Sequence, residues 1–377
     1  MSNPLTAPAA VPETSRATAI AENAADAIVL APCTGARFSG IDATMLAVIP
    51  AQRREIAIAS WGRRLGENVP HTSLIPWLFR RERRDAWRVW HSRRANDLWL
   101  GVFLRHVLRR KIVLVWTAAG ERKFSRATHW LLGKVDAIAA TTSRVATHLR
   151  RPAEIIPHGV NPSVYRPAAD RSAVRAELGI ADRPTLGVFG RVREAKGTGD
   201  LVEALLRLLP QFPQWQVTIV GAATRQHFPF QRKLEAELAR HGLADRVRFT
   251  GFTPHDQMPQ WYQACDLVGC VSWHEGFGVT CLEAMASGVP VVATRAGGWP
   301  DIIDEGETGW LCEPRNPADL ERALRIALAT PMSELGAMGE RGRRHVTEYH
   351  TVEQEAARLN AVYRRLLARF NGPVSDE

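Results

Sequence analysis

The segment that most constrains the fold runs from Asp266 to Ala286. Asp266-Leu-Val-Gly-Cys-Val-Ser272 is apolar and β-prone enough for a buried parallel strand, and Thr280-Cys-Leu-Glu-Ala-Met-Ala286 is strongly helix-forming. Glu275-Gly-Phe-Gly278 therefore has to turn the chain at the carboxyl end of a strand. Open α/β sheets take ligands in the crevice outside those ends, and the free N–H groups of a following helix favour an anion there. Two readings stand side by side. In one, Glu275, Gly276, Phe277, Gly278, Val279, Thr280 and Glu283 grip a sugar joined to a phosphate. In the other, Thr280 and Glu283 stand at capping-box spacing and only close the helix, while the glycines serve a tight turn.

A second element of the same kind shifts the balance toward a ligand. Thr185-Leu-Gly-Val-Phe-Gly190 reads as a strand ending in glycine, and Arg191-Val-Arg-Glu-Ala-Lys196-Gly197 follows directly. Arg191 can grip a phosphate through two parallel hydrogen bonds and Lys196 can add a compact charge, which is what a departing diphosphate requires. A lone Arg and Lys on a loop are more often solvated surface. Here two such loops lie in one α/β half. A phosphate-binding P-loop needs Gly-Lys-Ser/Thr, and Lys196-Gly-Thr198 has the wrong order. The Gly-x-Gly-x-x-Gly of a dinucleotide site is absent after the first strand, against a dehydrogenase.

With 377 residues, 45% of them hydrophobic, the chain is too long for one ordinary core and fits two domains with a cleft. Expected strands in the first half are Ala27–Ala31, Ile56–Ala59, Trp87–Trp90, Lys111–Trp116, Asp136–Ala140 and Glu154–Ile156, with a helix over Asn96–Arg109. Pro and Gly between Pro157 and Pro167 mark a linker. The alternation then restarts with strands at Thr185–Gly190, Gln216–Val220, Arg246–Thr250, Asp266–Val271 and Val289–Ala293. The fold class is α/β, with two parallel, doubly wound sheets. The expected division is a flexible tail at 1–25, one Rossmann-like domain at 26–166, a second at 167–350 and a closing helix at 351–371.

Five cysteines, odd in number and without a Cys-x-x-Cys pair, suggest neither a disulfide framework nor a zinc site, and reduced, cytoplasmic thiols are the simplest reading. The first residues lack the basic start and apolar core of a signal peptide, and no apolar run approaches the ~20 residues of a membrane span. A formal charge of +10 points to an anionic partner. Much of it lies at Arg53-Arg54, Arg63-Arg64, Arg80–Arg84, Arg109–Lys111 and Arg150-Arg151, interleaved with Trp77, Trp87, Trp90, Trp99 and Phe103. Exposed aromatics among basic residues suit an anionic lipid or a lipid-linked sugar, whereas tryptophans in the core would leave an ordinary arginine-rich surface. With no zinc-finger pattern and no aromatic RNA-binding signature, nucleic acid is not an expected partner.

Taken in order, the Gly190-Arg191…Lys196-Gly197 loop and the Glu275-x7-Glu283 element resemble the family 4 glycosyltransferases of GT-B architecture. The resemblance continues in Asp266, Ala284–Ala293, Ala296-Gly-Gly298 with Asp301, Thr308–Leu311 and the stretch Ile156–Pro167. Arg37-Phe-Ser-Gly-Ile-Asp42, Val89-Trp-His-Ser-Arg-Arg94 and the Gly190 loop look most like lipopolysaccharide-core mannosyltransferases. That resemblance implies two Rossmann-like domains facing across a cleft, the first for the acceptor and the second for the donor, with the closing helix crossing back to the first. It also implies retaining, metal-independent hexosyl transfer, with GDP-mannose as co-substrate and no other cofactor, to a lipopolysaccharide-core or other anionic lipid-linked glycan at the inner membrane face. The chain contains no Asp-x-Asp pair, in keeping with an absent metal. Arg191, Lys196 and Glu275 carry the catalytic expectation; Gly190, Gly276–Thr280 and Glu283, with Gly40 on the first domain, carry donor binding. Many relatives place a His after the strand equivalent to Lys111–Trp116, but Thr117-Ala-Ala-Gly120 follows here. His91 and Arg37 are then the candidates on the acceptor side, His91 having a structural hydrogen-bonding role as its alternative. Nothing in these motifs reads the base, so a UDP-sugar glucosyl or N-acetylhexosaminyl transferase remains an alternative, as does an inactive nucleotide-sugar-binding scaffold.

Overall fold

The computed structural model describes residues 24–35, 39–63, 65–79, 86–120 and 124–372. The first series of elements is β1 (Val29–Cys33), α1 (Gly40–Gln52), β2 (Ile58–Gly62), α2 (Leu74–Phe79), β3 (Arg88–Ser92), α3 (Ala95–His106), β4 (Ile112–Ala118), α4 (Arg126–Leu132), β5 (Ala137–Ala140), α5 (Ser143–Thr147) and β6 (Glu154–Ile155). The second is α6 (Arg171–Glu177), β7 (Thr185–Phe189), α7 (Thr198–Leu208), β8 (Gln216–Val220), α8 (Phe228–Arg240), β9 (Val247–Gly251), α9 (Met258–Gln263), β10 (Leu267–Cys270), α10 (Val279–Ala286), β11 (Val291–Thr294), α11 (Trp299–Ile302) and β12 (Gly309–Cys312). Three helices close the chain: α12 (Pro317–Ala329), α13 (Met332–Tyr349) and α14 (Val352–Asn371). One strand escaped the sequence reading, β12, whose four residues begin with glycine and carry too little pattern to stand out.

The strands form two six-stranded sheets, ordered β2-β1-β3-β4-β5-β6 and β12-β11-β10-β7-β8-β9. Neighbours run parallel, as in Val29↔Ile58 and Val29↔Val89 in the first and Leu186↔Val217 and Leu267↔Leu186 in the second. Each order reverses direction once, between β1 and β3 and between β7 and β10, and these are the switch points at which open α/β sheets hold ligands. The Gly190 and Glu275 loops leave the two strands of the second switch point.

Chain contacts group residues up to Trp116, with Lys134–Asp136 and the chain from Ala356 onward, into one unit, and Thr117–Gly133 with Ala137–Glu355 into another. In the second, α7 and α12 press Leu201, Leu205, Leu208, Leu320, Leu324 and Leu328 onto β7 and β8. Helix α10 is walled in on most sides: Cys281, Leu282, Ala284, Met285 and Ala286 are buried. It is covered partly by α13, where Gly339 has no side chain because a Cβ would lie 2.0 Å from the carbonyl oxygen of Gly288. The start of α14 is fixed within this unit, its Glu355 carboxylate accepting from the Gly159 N–H at 2.8 Å and lying 2.8 Å from His158 Nδ1. Further along, Asn360 and Tyr363 belong to the first unit, where Gln52 Nε2 donates to both at 3.2 and 3.3 Å. All five cysteines are free and buried. No helix among the described residues is long and apolar enough to cross a membrane.

Candidate active site

The site of the second unit is built from two loops laid against each other. After β7, Gly190 takes a left-handed φ of +129° and the chain passes through Arg191 to a short 3-10 turn at Glu194–Lys196. Gly197, at φ +68°, then packs so closely on the loop after β10 that a Cβ would sit 1.8 Å from the Val271 carbonyl oxygen. Trp273 N–H donates to the Ala195 carbonyl at 3.1 Å, and its indole N–H to Asp200 at 2.6 Å. With the backbones locked, Lys196 Nζ reaches Glu275 Oε2 at 2.6 Å across 79 residues of sequence. Ser272 Oγ donates to the same oxygen at 3.4 Å, and the Gly276 N–H to Glu275 Oε1 at 3.1 Å. Arg191 is exposed and has no hydrogen bond or ion pair among the described residues, so its guanidinium is open to a ligand. Gly190, Arg191, Lys196, Thr198, Ser272, Thr280 and Trp299 line a shared pocket.

Helix α10 begins at this pocket, and its capping removes the capping-box reading of Thr280 and Glu283. The N-cap is Gly278, at φ +88°, and no side chain caps the helix. Thr280 is already helical, and the Glu283 carboxylate does not reach back to the helix start. It accepts instead from Tyr262 Oη at 2.6 Å. Burial pushes the Glu283 carboxyl up from its ordinary range, against the opposing pull of the Tyr262 hydroxyl, His255 and the Tyr165 hydroxyl. The helix start is thus left with unpartnered N–H groups and the positive end of its dipole. Gly278 is glycine because a Cβ would lie 2.2 Å from Trp299 Nε1, which donates to the Gly278 carbonyl at 2.9 Å. Gly297 and Gly298 support the turn from below, the Gly298 N–H donating to the Phe277 carbonyl at 3.1 Å. The Phe277 ring is buried edge-on against His158, so this residue has only backbone to offer a ligand, and Val279 packs on the core beneath α10. Tyr262, Tyr165 and Trp299 were missed from the sequence. They stand far from Glu283 along the chain, and no local pattern links them.

Other expectations fall elsewhere. Asp266 is at the opposite, amino-terminal end of β10, where it accepts from Arg171, Arg175 and the Thr185 N–H at 2.7, 2.5 and 2.7 Å, a structural role. In the first unit Gly40 is the first residue of α1, with open space where a Cβ would stand. Its loop is held by Asp42, which accepts from Cys33 Sγ, the Ser39 N–H, Ser39 Oγ and Arg94 at 2.7–2.8 Å. Burial alone would raise the Asp42 carboxyl, but the donors Arg94, Cys33 and Ser39 outweigh it and hold the group below its usual range. His91 is a correction: it is fully buried, with Nδ1 2.5 Å from Tyr363 Oη, so it is a structural hydrogen-bonding residue with no surface to offer an acceptor. The reason is register, since position 91 lies inside β3 opposite Val115 and not beyond its end. Arg37, like Arg80–Arg84, lies outside the described residues.

The profile described as "Glycosyl transferases group 1" matches residues 170–345, the part of the chain that holds both loops. Over 91% of its length the chain is 37% identical to the lipopolysaccharide core biosynthesis mannosyltransferase LpcC of Rhizobium leguminosarum bv. viciae, covering 97% of that protein. The chain belongs to the group 1 glycosyltransferases. A second relative, the lipopolysaccharide core biosynthesis mannosyltransferase LpsB of Rhizobium meliloti, is 35% identical to this glycosyltransferase, with 91% of the chain and 98% of the relative covered. The glycosyltransferase shares its fold with Anabaena HepE in complex with UDP and glucose, at TM-score 0.75 and 21% identity, covering 89% of this chain and 99% of that one. It shares it equally with a sucrose-phosphate synthase of Thermosynechococcus elongatus, at TM-score 0.73 and 22% identity over 90% and 99%. The two six-stranded sheets are those of the GT-B architecture.

Proposed function

We propose that this glycosyltransferase moves mannose from GDP-mannose to a lipopolysaccharide-core or similar lipid-linked glycan, with retention of anomeric configuration and without a metal. The observation that carries the chemistry is the Lys196–Glu275 pair, 2.6 Å long, beside the open Arg191 and the uncapped start of α10. As the bond from the anomeric carbon to the diphosphate breaks, negative charge grows on the leaving oxygen. Lys196, held by Glu275, and the α10 N–H groups supply preorganised positive charge for that oxygen, and the exposed Arg191 adds its guanidinium to them. Glu275 keeps Lys196 in place and presents its other oxygen toward donor hydroxyls. The acceptor hydroxyl attacks from the same face and its proton passes to the leaving phosphate oxygen. Glu283, seated on Tyr262, holds the nucleotide ribose. Mannose as the sugar and the lipopolysaccharide core as the acceptor are supported by the two relatives whose names carry them, each matched over nearly its whole length.

A cytoplasmic enzyme acting on a lipid-linked acceptor has to work at an anionic membrane face, and helix α3 supports such a contact. It is apolar on both sides: Leu98, Val102 and Leu104 are buried, while Trp99 and Phe103, each 47% exposed, share the outer face with Val107 just beyond. The basic run Arg109-Arg-Lys111 follows, and Arg110 lies over the ring of the exposed Phe79 at 4.1 Å. Aromatic and aliphatic side chains rimmed by cations fit an anionic lipid interface.

Calorimetric binding of GDP, UDP, ADP, GDP-mannose and UDP-glucose to the purified protein tests the donor. Preference for GDP and GDP-mannose is expected. Preference for a UDP-sugar overturns the donor and keeps the site; binding of none favours an inactive scaffold. Lys196→Ala and Arg191→Ala are each expected to lower turnover at least ~10-fold while the protein stays folded, and unchanged turnover removes the assignment.

A further inference from the structure

The first sheet has its own switch point, between β1 and β3, and the chain there carries two consecutive arginines in opposite circumstances. Arg94 is fully engaged, donating to Asp42 at 2.8 Å and to Ser39 Oγ at 3.1 Å. Arg93, only 7% exposed, has all three guanidinium nitrogens buried and no acceptor among the described residues. Ser92 Oγ beside it is buried without a partner, and so is the indole Nε1 of Trp116, the register partner of Ser92 across β3 and β4. The next element, α3, starts two residues after Arg93 with no side chain capping its N-terminus. Asp97 does not supply the missing charge: Thr34 Oγ1 donates to its Oδ1, its Oδ2 is buried with no hydrogen-bond partner among the described residues, from Arg93 or any other donor, and the charges that act on it are those of Arg94 and Asp42.

The unsatisfied groups of Ser92, Arg93 and Trp116 all donate or are able to donate a hydrogen bond, and Arg93 brings a positive charge. A buried cation without a counter-charge destabilises the fold, and a bound anion removes that cost. We propose that the β3–α3 junction, centred on Arg93 with Ser92 and Trp116 next to it, is a binding site for an oxyanion carried by the acceptor, a carboxylate or a phosphate. This rests on the glycosyltransferase reading only in assigning the anion to the acceptor. The planar fork of a guanidinium matches either group through two parallel hydrogen bonds, and an uncapped helix start adds N–H groups of the same polarity. Placement at the switch point of the first sheet mirrors the Arg191 and Glu275 loops at the switch point of the second.

The test is thermal denaturation of the full-length protein and Arg93→Met, with GDP saturating so that the donor-phosphate site is filled. Inorganic phosphate and glucuronate are titrated as separate probes. The wild type is expected to gain melting temperature saturably with at least one probe, and which one identifies the phosphate or the carboxylate as the source. Arg93→Met is expected to melt no lower than the wild type when no probe is present, because the uncompensated charge is gone, and to lose at least ~10-fold in apparent probe affinity. A wild type indifferent to both probes, or a response kept in Arg93→Met, overturns the site. So does an Arg93→Met protein that melts well below the wild type, which marks Arg93 as structural. Arg93→Lys is the second variant: it keeps the charge, loses the fork and is expected to lose the same response, and a response kept in it overturns the site. Calorimetry of GDP on the same variants separates this outcome from the transferase reading: intact GDP binding with no probe response sinks the anion site alone.

Discussion

At the scale of single residues, Glu283 is placed at odds with its own ionisation. Its carboxyl is pushed upward by burial, so at neutral pH its charged form costs the folded state free energy, and this cost fades as pH falls through the raised value. Glu283→Gln keeps the shape and a partner for Tyr262 while removing the charge. It is expected to leave the melting temperature at neutral pH unchanged or higher and to weaken nucleotide binding about 10-fold, as a hydrogen bond to a charged group is worth ~1.5–3 kcal/mol. A lower melting temperature with full nucleotide affinity would make Glu283 a structural residue. Asp42 has the opposite sign. Its carboxyl is held low, so the stability it gives is present above the ordinary carboxylate range and is lost as pH falls through the depressed value. Asp42→Asn strands a guanidinium that is largely buried, at a cost of about 3–5 kcal/mol by chemical denaturation at neutral pH, a difference that shrinks on acidification. Gly278→Ala meets both an unfavourable φ and Trp299, and is expected to lose more than the ~1–2 kcal/mol of a left-handed residue alone.

At the scale of elements, α3 makes the sharpest prediction. A helix with apolar residues on opposite faces is ordinarily buried on both, yet this one turns Trp99 and Phe103 to solvent. Trp99→Ser with Phe103→Ser is expected to weaken binding to vesicles containing anionic lipid at least ~10-fold, with turnover on a soluble acceptor fragment retained. Binding that persists, or that is indifferent to the anionic lipid, removes the contact. The same helix shows what was legible in advance and what was not. Basic residues among tryptophans were visible in the sequence, but not which rings point outward. Trp77 and Trp90 prove to be core, 6.1 Å apart, and Trp87 packs on Phe370. One sequence position decides between core and surface on a helix, and a helix with apolar residues on both faces has no period to mark that difference. The loops of the second switch point were easier to place, because glycine interrupts an apolar strand pattern sharply.

At the scale of the molecule, the alternation of strand and helix was written plainly enough to give both sheets, with boundaries off by up to three residues. Gln216–Val220 was exact in both, and β12 alone was unseen. The partners that complete the site were not legible, since Tyr262 reaches Glu283, and Lys196 reaches Glu275, only through tertiary packing. Nor could the sequence place His91 inside a strand instead of past its end.

The five buried thiols carry a practical consequence. Burial pushes Cys33 up to about 11 and Cys265, Cys270 and Cys312 up to about 12, with Cys281 well above its ordinary value, so thiolate is scarce in the folded protein at neutral pH. An aromatic disulfide reagent is expected to titrate essentially no thiol in buffer and all five in denaturant, which makes thiol counting a direct assay of unfolding. Native cysteines therefore need not be removed before labelling: one cysteine introduced at the surface would carry a fluorophore alone, and its emission would follow nucleotide or vesicle binding against a silent background.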